Sequence, residues 1–459
     1  MLKLIQNEWI KIFSKISTYV LLALTLAMTV GFSLLAHFVG AYEPYTYTYD
    51  KYDLNNEIAY LESSKPEGYE VQVMMYQFML DNGDSWEMGG WEVQALNDIF
   101  PALQNPLVYQ ADTLSPEEKS SLEERFTSLT KAVSDHDFKS FASLWLKEIA
   151  SGTDSDRVKE AKSFPYQFML DNNLEPSSDS WKIDAAQELG NAMLTLASLE
   201  DQQDQGIYIP EASLQDAQDQ LTLSQYRLEH EIANYMDEQG RTGSFYWSIF
   251  LDAASLLTFI SVVMIVIAGG SVANEFSTGT IKFLLINPVK RSKIIISKFL
   301  ALLLLGAAMI LGMFVVNGLF NLILFRDGFG VPLLTVSEGV VHEGSALLYT
   351  LTQYALNGIT MIAMTALAFM ISSLMRSSAV AIGIGVASLL GGTMISSMLA
   401  QYGFDWGRYL IFSNLNLGSI ANNYGMYPHQ TLGFAVGVLA VYMILFLFIA
   451  YDGFTRREV

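Results

Sequence analysis

Long apolar runs alternate with polar stretches along this chain, and the runs set its class. A helix crosses a bilayer core of roughly 30 Å with about 18 or more apolar residues, because it satisfies its own backbone hydrogen bonds where no water is present. Six runs reach that length: Ser17 to Val39, Trp247 to Ser271, Ile294 to Leu324, Leu347 to Leu374, Ser378 to Leu399, and Leu432 to Ala450. Core helices of soluble proteins rarely exceed about 14 continuous apolar residues, so the pattern predicts six membrane spans. Residues 42–243 hold no such run and form a polar segment between spans one and two. Span one, over 16–41, ends in a cleavage-like Val39-Gly40-Ala41. It is too long for the apolar region of a signal peptide and is expected to remain as an anchor.

Shorter periodicities predict what surrounds the spans. Residues 1–15 read as an amphipathic helix at the cytoplasmic interface, with Leu2, Ile5, Trp9, Ile12 and Phe13 near one face. In the polar segment, Ser115-Pro116-Glu117-Glu118 is a helix start with a capping box and proline in the first turn. Phe138, Phe141, Ala142, Trp145 and Ile149 recur at helical spacing. Leu214, Ala217, Leu221, Leu228, Ile232 and Tyr235 form a stripe that predicts one long helix leading towards span two. The run Tyr76-Gln77-Phe78-Met79-Leu80-Asp81-Asn82 returns unchanged at Tyr166 to Asn172, and Trp91 then matches Trp181 at the same offset. Two copies of a small helical unit, about 76–96 and 166–186, are expected to build two similar cores.

Charge orients the chain. Cytoplasmic loops carry the excess of Lys and Arg. Lys3, Lys11 and Lys15, then Lys282, Lys290, Arg291, Lys293 and Lys298, then Arg376, Arg456 and Arg457 fall on one side if six spans alternate. Both termini are therefore expected in the cytoplasm and residues 42–243 outside. The formal net charge of −21 belongs to that outside segment, which has 13 basic and 38 acidic residues. Such acidity argues against nucleic acid as a partner. It would draw cationic peptides or metal ions, or serve only to keep a surface domain soluble. The chain has no cysteine, which removes disulfides, thiolate metal sites and cysteine nucleophiles.

Catalytic patterns are missing from the sequence. No stretch matches the phosphate-cradling G-x-x-x-x-G-K-[ST] or the zinc-binding H-E-x-x-H, and His37, His136, His230, His342 and His429 are scattered singly. No metal site is expected, and no enzyme activity of the chain's own. Polar residues inside spans are costly, so they face partners or a pathway. Asp252 in span two, Asn317 and Asn321 in span three, and Gln353, Asn357 and Thr360 in span four are the candidates. They could line a pathway or bond helix to helix.

The most informative stretch is the cytoplasmic loop 274–298, NEFSTGTIKFLLINPVKRSKIIISK. An acid, a Ser-Thr-Gly-Thr break, an apolar stretch, a proline and a basic group predict a short helix across the membrane base, held against anionic lipid. Here the sequence resembles the permeases of type-2 ABC exporters. Glu275, Gly279, Thr280, Leu284, Leu285, Pro288, Arg291 and Lys298 match that family's pattern position by position. Val289-Lys290 stands where family members usually have Ser or Thr after the proline. Tyr409 to Leu417 resembles the family's short external helix before the last span, and Phe454 to Arg457 its ending. The resemblance covers the membrane half, 244–459, and says little about 42–243.

The expected fold is an all-α polytopic membrane protein, with six transmembrane helices and a mostly helical extracytoplasmic domain inserted between spans one and two. The resemblance implies a permease in a bacterial cytoplasmic membrane, pairing with an identical or related second permease. The loop would dock on a separate ATP-binding subunit, which itself holds ATP and Mg. Export of a peptide or other amphipathic compound is the expected activity. The alternatives are a sensor or scaffold whose outside domain binds a ligand without transport, and, less well supported by these residues, a membrane-embedded enzyme.

Overall fold

A computed structural model describes residues 1–40, 48–176, 180–280, 290–326, 329–375 and 377–456. Six of the described helices are long and apolar enough to cross a membrane: Ile16–Val39, Phe245–Ser277, Arg291–Leu324, Ala346–Leu374, Ser378–Gln401 and Leu432–Thr455, numbered here spans one to six. All six runs expected from the pattern are helices. The chain is mostly helical, but it also carries strands that the hydrophobic pattern did not indicate. Two compact units make it up, Met1–Val39 with Asn234–Leu334 and Glu343–Val459, and Gly40–Ala233 with Thr335–His342.

In the first unit, spans two and four are the most buried, and they pack on each other most extensively. Lipid tails are as apolar as leucine, so close packing and polar contacts between helices must hold such a bundle. The aromatic centre is made by Phe250, Phe314 and Tyr354, with ring centroids 4.9 Å apart for the first pair and 5.1 Å for Phe314 and Tyr354. A buried polar chain runs beside it. Ser33 of span one donates to Asn317 at 3.0 Å, and Asn321 donates to the same oxygen at 3.1 Å. Asn317 in turn donates to the Tyr354 hydroxyl at 2.9 Å, which donates to the Phe250 carbonyl at 3.1 Å. Four spans are thereby tied together.

Span two is not one straight helix. A 3-10 turn over Ala253–Leu256 interrupts it, and a second break falls at Val272, between Leu257–Ser271 and Ala273–Ser277. Breaks free backbone groups that lipid cannot satisfy. Ser372 of span four resolves the second one. Its hydroxyl donates to the Gly269 carbonyl at 2.7 Å and accepts from the Val272 and Ala273 amides at 3.2 and 3.0 Å.

The second unit contains both copies of the repeat. Tyr69–Asn82 followed by Trp91–Ile99 corresponds to Asp156–Asp171 followed by Trp181–Asp204. Equivalent positions are buried alike: Met79 and Met169, Val93 and Ile183, Ala95 and Ala185. Local bonds repeat as well, Gln77 to Asp81 matching Gln167 to Asp171. Between the copies, Pro116–Ser134 starts at the expected capping box on Ser115, and Phe138–Ser151 buries its whole predicted stripe.

Two expectations need correction, and short strands add to the helical frame. The helix from Glu211 stops at Glu229, where Glu231 takes a left-handed φ of 54°, so Ile232 and Tyr235 lie beyond it and His230 caps its end. A short antiparallel pair joins Thr48–Asp50 to Ser85–Glu87, and a hairpin joins Pro332–Ser337 to Val340–Ser345. Glu338 and Gly339 at that hairpin's turn both have positive φ, as a tight hairpin of right-handed twist requires. The segment Tyr409 to Leu417 is not one helix but two 3-10 turns, Asp405–Tyr409 and Ile411–Asn414, followed by a helix from Leu417 to Ala421.

Candidate functional site

The N-terminal helix Leu2–Phe13 carries Glu8 and Lys11 one turn apart, which puts both on one face. The Trp9 indole donates to the Ala301 carbonyl of span three at 3.1 Å, and the Thr18 hydroxyl to Ile12 at 2.6 Å. Ile5, Trp9, Ile12 and Phe13 are thus partly covered by protein, while Leu2 remains 84% exposed and off the packed face. This departs from the expected apolar stripe.

That docking builds an ion cluster. Lys298, two turns into span three, has a side chain only 1% exposed, and its ammonium lies 2.8 Å from Glu8 and 2.7 Å from Glu275. Lys11 lies 3.2 Å from Glu8 and 3.1 Å from Glu275. Two carboxylates alternate with two ammoniums, so the charges cancel where water is scarce. Glu275 Oε2 is buried without a hydrogen-bond partner among the described residues. The cluster borders a cavity of about 1110 Å³, whose lining includes Lys15, Asn274 and Thr280.

Burial opposes ionisation of Glu8, but Lys298 and then Lys11 outweigh it and hold its carboxyl below the ordinary 4.5. Burial likewise opposes the charge of Lys11, yet Glu275 and Glu8 raise it above 10.5. A carboxyl lowered by folding stabilises the protein above its unfolded value and loses that contribution as pH falls through the folded one. A raised lysine behaves oppositely, contributing below 10.5 and losing it as pH rises further. Glu8→Gln is therefore expected to lower the melting temperature between about pH 6 and 9. The gap from wild type should close as pH drops below the ordinary 4.5, which melting curves across pH would read.

From Glu275 the chain turns outwards. Ser277, Thr278, Gly279 and Thr280 are all exposed. The Thr278 hydroxyl donates to the Asn274 carbonyl at 2.7 Å and lies 3.0 Å from that of Thr280. Gly279 has a φ of 72°, a conformation that a proline cannot take. Leu284, Leu285 and Pro288 lie outside the described residues, as does Arg376. Arg291 donates to the Thr455 carbonyl at 3.2 Å, joining the start of span three to the end of span six. Of the eight loop residues singled out by sequence, Glu275 and Lys298 are thus brought together, Gly279 and Thr280 lie exposed, and Arg291 holds another span. Glu8 and Lys11 were missed as site residues, although their spacing on an amphipathic helix was a usable signal.

The intramembrane polar residues divide into two sets. Asn317 and Asn321 are fully buried; Asn317 bonds to spans one and four, whereas Asn321 donates to Asn317 within span three and its side-chain oxygen has no hydrogen-bond partner among the described residues. Asp252, Gln353, Asn357 and Thr360 instead line one cavity of about 930 Å³, together with Asn416 and Asn422. Gln353 donates to Asn422 at 3.3 Å, Asn422 donates to the Tyr349 hydroxyl at 3.0 Å, and the Thr360 hydroxyl donates to the Leu415 carbonyl. Gly418 makes this contact possible, since a Cβ there would sit 2.6 Å from the Gln353 side-chain oxygen. Among the described residues no group of three His, Cys, Asp or Glu could hold a metal.

The family model described as "Protein of unknown function (DUF2705)" matches residues 218–459. The chain is 33% identical to "Uncharacterized protein YhcI" of Bacillus subtilis over 251 residues, which cover 54% of this chain and 78% of the relative. It is 29% identical to "Uncharacterized membrane protein YdbK" of the same organism over 207 residues, 45% of this chain and 80% of the relative. No solved structure matches.

Proposed function

The chain belongs to the DUF2705 family of proteins of unknown function, and we propose that this multi-pass membrane protein is the permease subunit of an ATP-driven ABC exporter. The observation that carries the reading is the start of the loop after span two. Glu275 is clamped by Lys298 and Lys11, and directly beyond it the Ser277 to Thr280 turn stands exposed. These are the positions at which the sequence resembles the ATPase-docking loop of type-2 exporters.

In this reading Gly279, Thr280, Leu284, Leu285 and Pro288 receive a separate ATP-binding subunit, which holds ATP and Mg. Glu275 and Lys298 act as anchors rather than as docking groups, because their charges are spent on each other and on the N-terminal helix. A displacement of the loop is passed through that cluster to spans two and three at once, as a rigid-body shift between two states. Both termini and this loop face the cytoplasm, as the lysines and arginines indicate. A second permease, identical or related, completes the pathway, and residues 42–243 stand outside the cell. Asp252, Gln353, Asn357 and Thr360 supply polar groups along that pathway, and Asn317, with Asn321 bonded to it one turn on, holds spans together. The substrate is a peptide or another amphipathic compound moved outwards.

The test is affinity purification of the full chain from its native cell, with identification of any ATP-binding subunit that accompanies it, followed by ATPase assays in lipid. Gly279→Pro is expected to abolish both association and coupled ATPase activity, whereas Gly312→Ala, at a span-three position with open space around it, leaves them unchanged. If the wild-type chain captures no ATPase, the exporter reading fails. If Gly279→Pro retains association and coupling, the loop assignment is wrong.

A further inference from the structure

The duplication in the second unit leaves a groove between its two copies. The helix Trp91–Ile99 of the first copy forms one wall, Asp156–Asp171 and Trp181–Asp204 of the second form the other, and Phe138–Ser151 closes the floor. The cavity is about 930 Å³, within the range that holds a peptide segment or a drug-sized ligand. Its floor is aromatic. Trp91 lies 5.5 Å from Phe141 between ring centroids, and Phe141 lies 6.1 Å from both Trp145 and Tyr166. Trp91 and Tyr166 are only partly buried and present ring surface to the groove. The amide side chains of Asn97, Gln187 and Asn191 stand exposed along the rim.

Three carboxylates and one ammonium line this groove. Lys162 is held by Asp154 at 2.7 Å, and Glu148 is held at 2.9 Å by Arg125. Asp98 accepts no hydrogen bond and forms no ion pair among the described residues. Asp98 is open to solvent along the groove, yet the protein around its carboxyl still pushes it up from the ordinary value, and the field of Lys162 opposes this only in part.

The second copy shows what such a position takes. Ninety residues on from Asp98 stands Glu188, on the same face of the equivalent helix, lining a smaller cavity of about 650 Å³. There the buried Arg227 guanidinium donates to the carboxylate, and the Ser224 hydroxyl donates to it at 3.3 Å. The helix Glu211–Glu229 supplies both and lines that cavity. In the first copy the matching carboxylate has no such cation, and its groove is larger and aromatic.

We propose that the groove between the two copies binds a short cationic amphipathic peptide segment, with a guanidinium or ammonium on Asp98 and an apolar side chain against Trp91 and Tyr166. A cation beside aromatic faces and a carboxylate is favoured by both. The rim amides suit a peptide backbone, which offers donors and acceptors at regular intervals. The net charge of residues 42–243, with 38 acidic against 13 basic residues, draws the same ligand from a distance. The proposal concerns binding alone and does not rest on the exporter reading.

The experiment uses the full-length chain in nanodiscs of zwitterionic lipid, with empty nanodiscs as reference. The probe is a fluorescently labelled acetyl-Lys-Trp-Lys-Trp-amide, followed by anisotropy at low salt. Saturable binding is expected, with none for the Glu-Trp-Glu-Trp counterpart. Asp98→Asn, and independently Asn97→Lys, should each weaken binding at least about tenfold, as loss of a charge-assisted contact does. Asp112→Asn, an exposed carboxylate outside the groove, should leave it unchanged. Absent binding to the wild-type chain, unchanged affinity in Asp98→Asn, or an equal loss in Asp112→Asn would each overturn the proposal.

Discussion

Lys298→Met should destabilise the membrane unit by about 3–5 kcal/mol, towards the lower end of that range. The Lys298 side chain is 1% exposed, and it stands between two carboxylates that are each 12% exposed. Removing one member of a buried ion pair costs more than the pair contributes, because the other member keeps its desolvation penalty without compensation. Here two carboxylates are left facing each other. Lys11, at 3.1–3.2 Å from both, limits the damage but is itself 47% exposed on the side chain. Unfolding by SDS titration in mixed micelles would measure the loss. Adding Glu8→Gln and Glu275→Gln to Lys298→Met should recover most of it, since the repulsion and the buried charges then disappear together. A single variant as stable as wild type would show that the cluster does not anchor the loop. The triple variant also separates anchoring from docking: if it folds but no longer couples to an ATPase, the ions themselves transmit the movement.

Arg227→Met is expected to cost the acidic unit about 2–3 kcal/mol, through loss of one ion pair and its backbone bonds. The Arg227 residue is 8% exposed and pairs with Glu188. Its Nε donates to the Ile232 carbonyl at 3.2 Å and its Nη2 to the Ala233 carbonyl at 2.9 Å. These carbonyls lie just past the helix end at Glu229, so one side chain both neutralises a carboxylate and ties down the exit of the chain. Glu188 is 29% exposed on the side chain, which lets water solvate it in the variant and keeps the cost below that at Lys298. For a unit of this size the melting temperature should fall by about 2–4 °C per kcal/mol. Arg227→Lys should recover only part, because an ammonium lacks the planar fork that reaches carboxylate and carbonyls together. Equal melting of Arg227→Met and wild type would show that this residue does not tie the end of the helix to Glu188.

What was legible in the sequence follows from how local each signal is. Span length and composition are properties of consecutive residues, and six long apolar runs therefore became six helices. The capping box at Ser115 and the buried stripe from Phe138 to Ile149 are helix-period signals within one element, and both hold. Repetition is equally local to detect, and Met79 with Met169 and Val93 with Ile183 are buried as pairs. The stripe on Glu211–Glu229 failed where its pattern ran on without a stop signal. Its end is set by the left-handed turn at Glu231 and by Arg227 reaching the next carbonyls.

By itself, then, the sequence determined the spans, the duplicated unit, the acidity of residues 42–243 and the exceptional character of the loop after span two. Only the tertiary structure decided what the charged and polar residues do. Glu275 and Lys298 were visible as a pair of motif positions, but their meeting with Glu8 joins residues 290 positions apart. The break that aims Glu275 depends on Ser372, about a hundred residues away. Asn317 and Gln353 looked alike as polar residues in apolar helices, and packing sent one to a helix contact and the other to a cavity. Periodicity reports which face of a helix is apolar. Which partner meets an isolated charge or amide on that helix is a matter of three-dimensional packing, and no spacing along the chain encodes it.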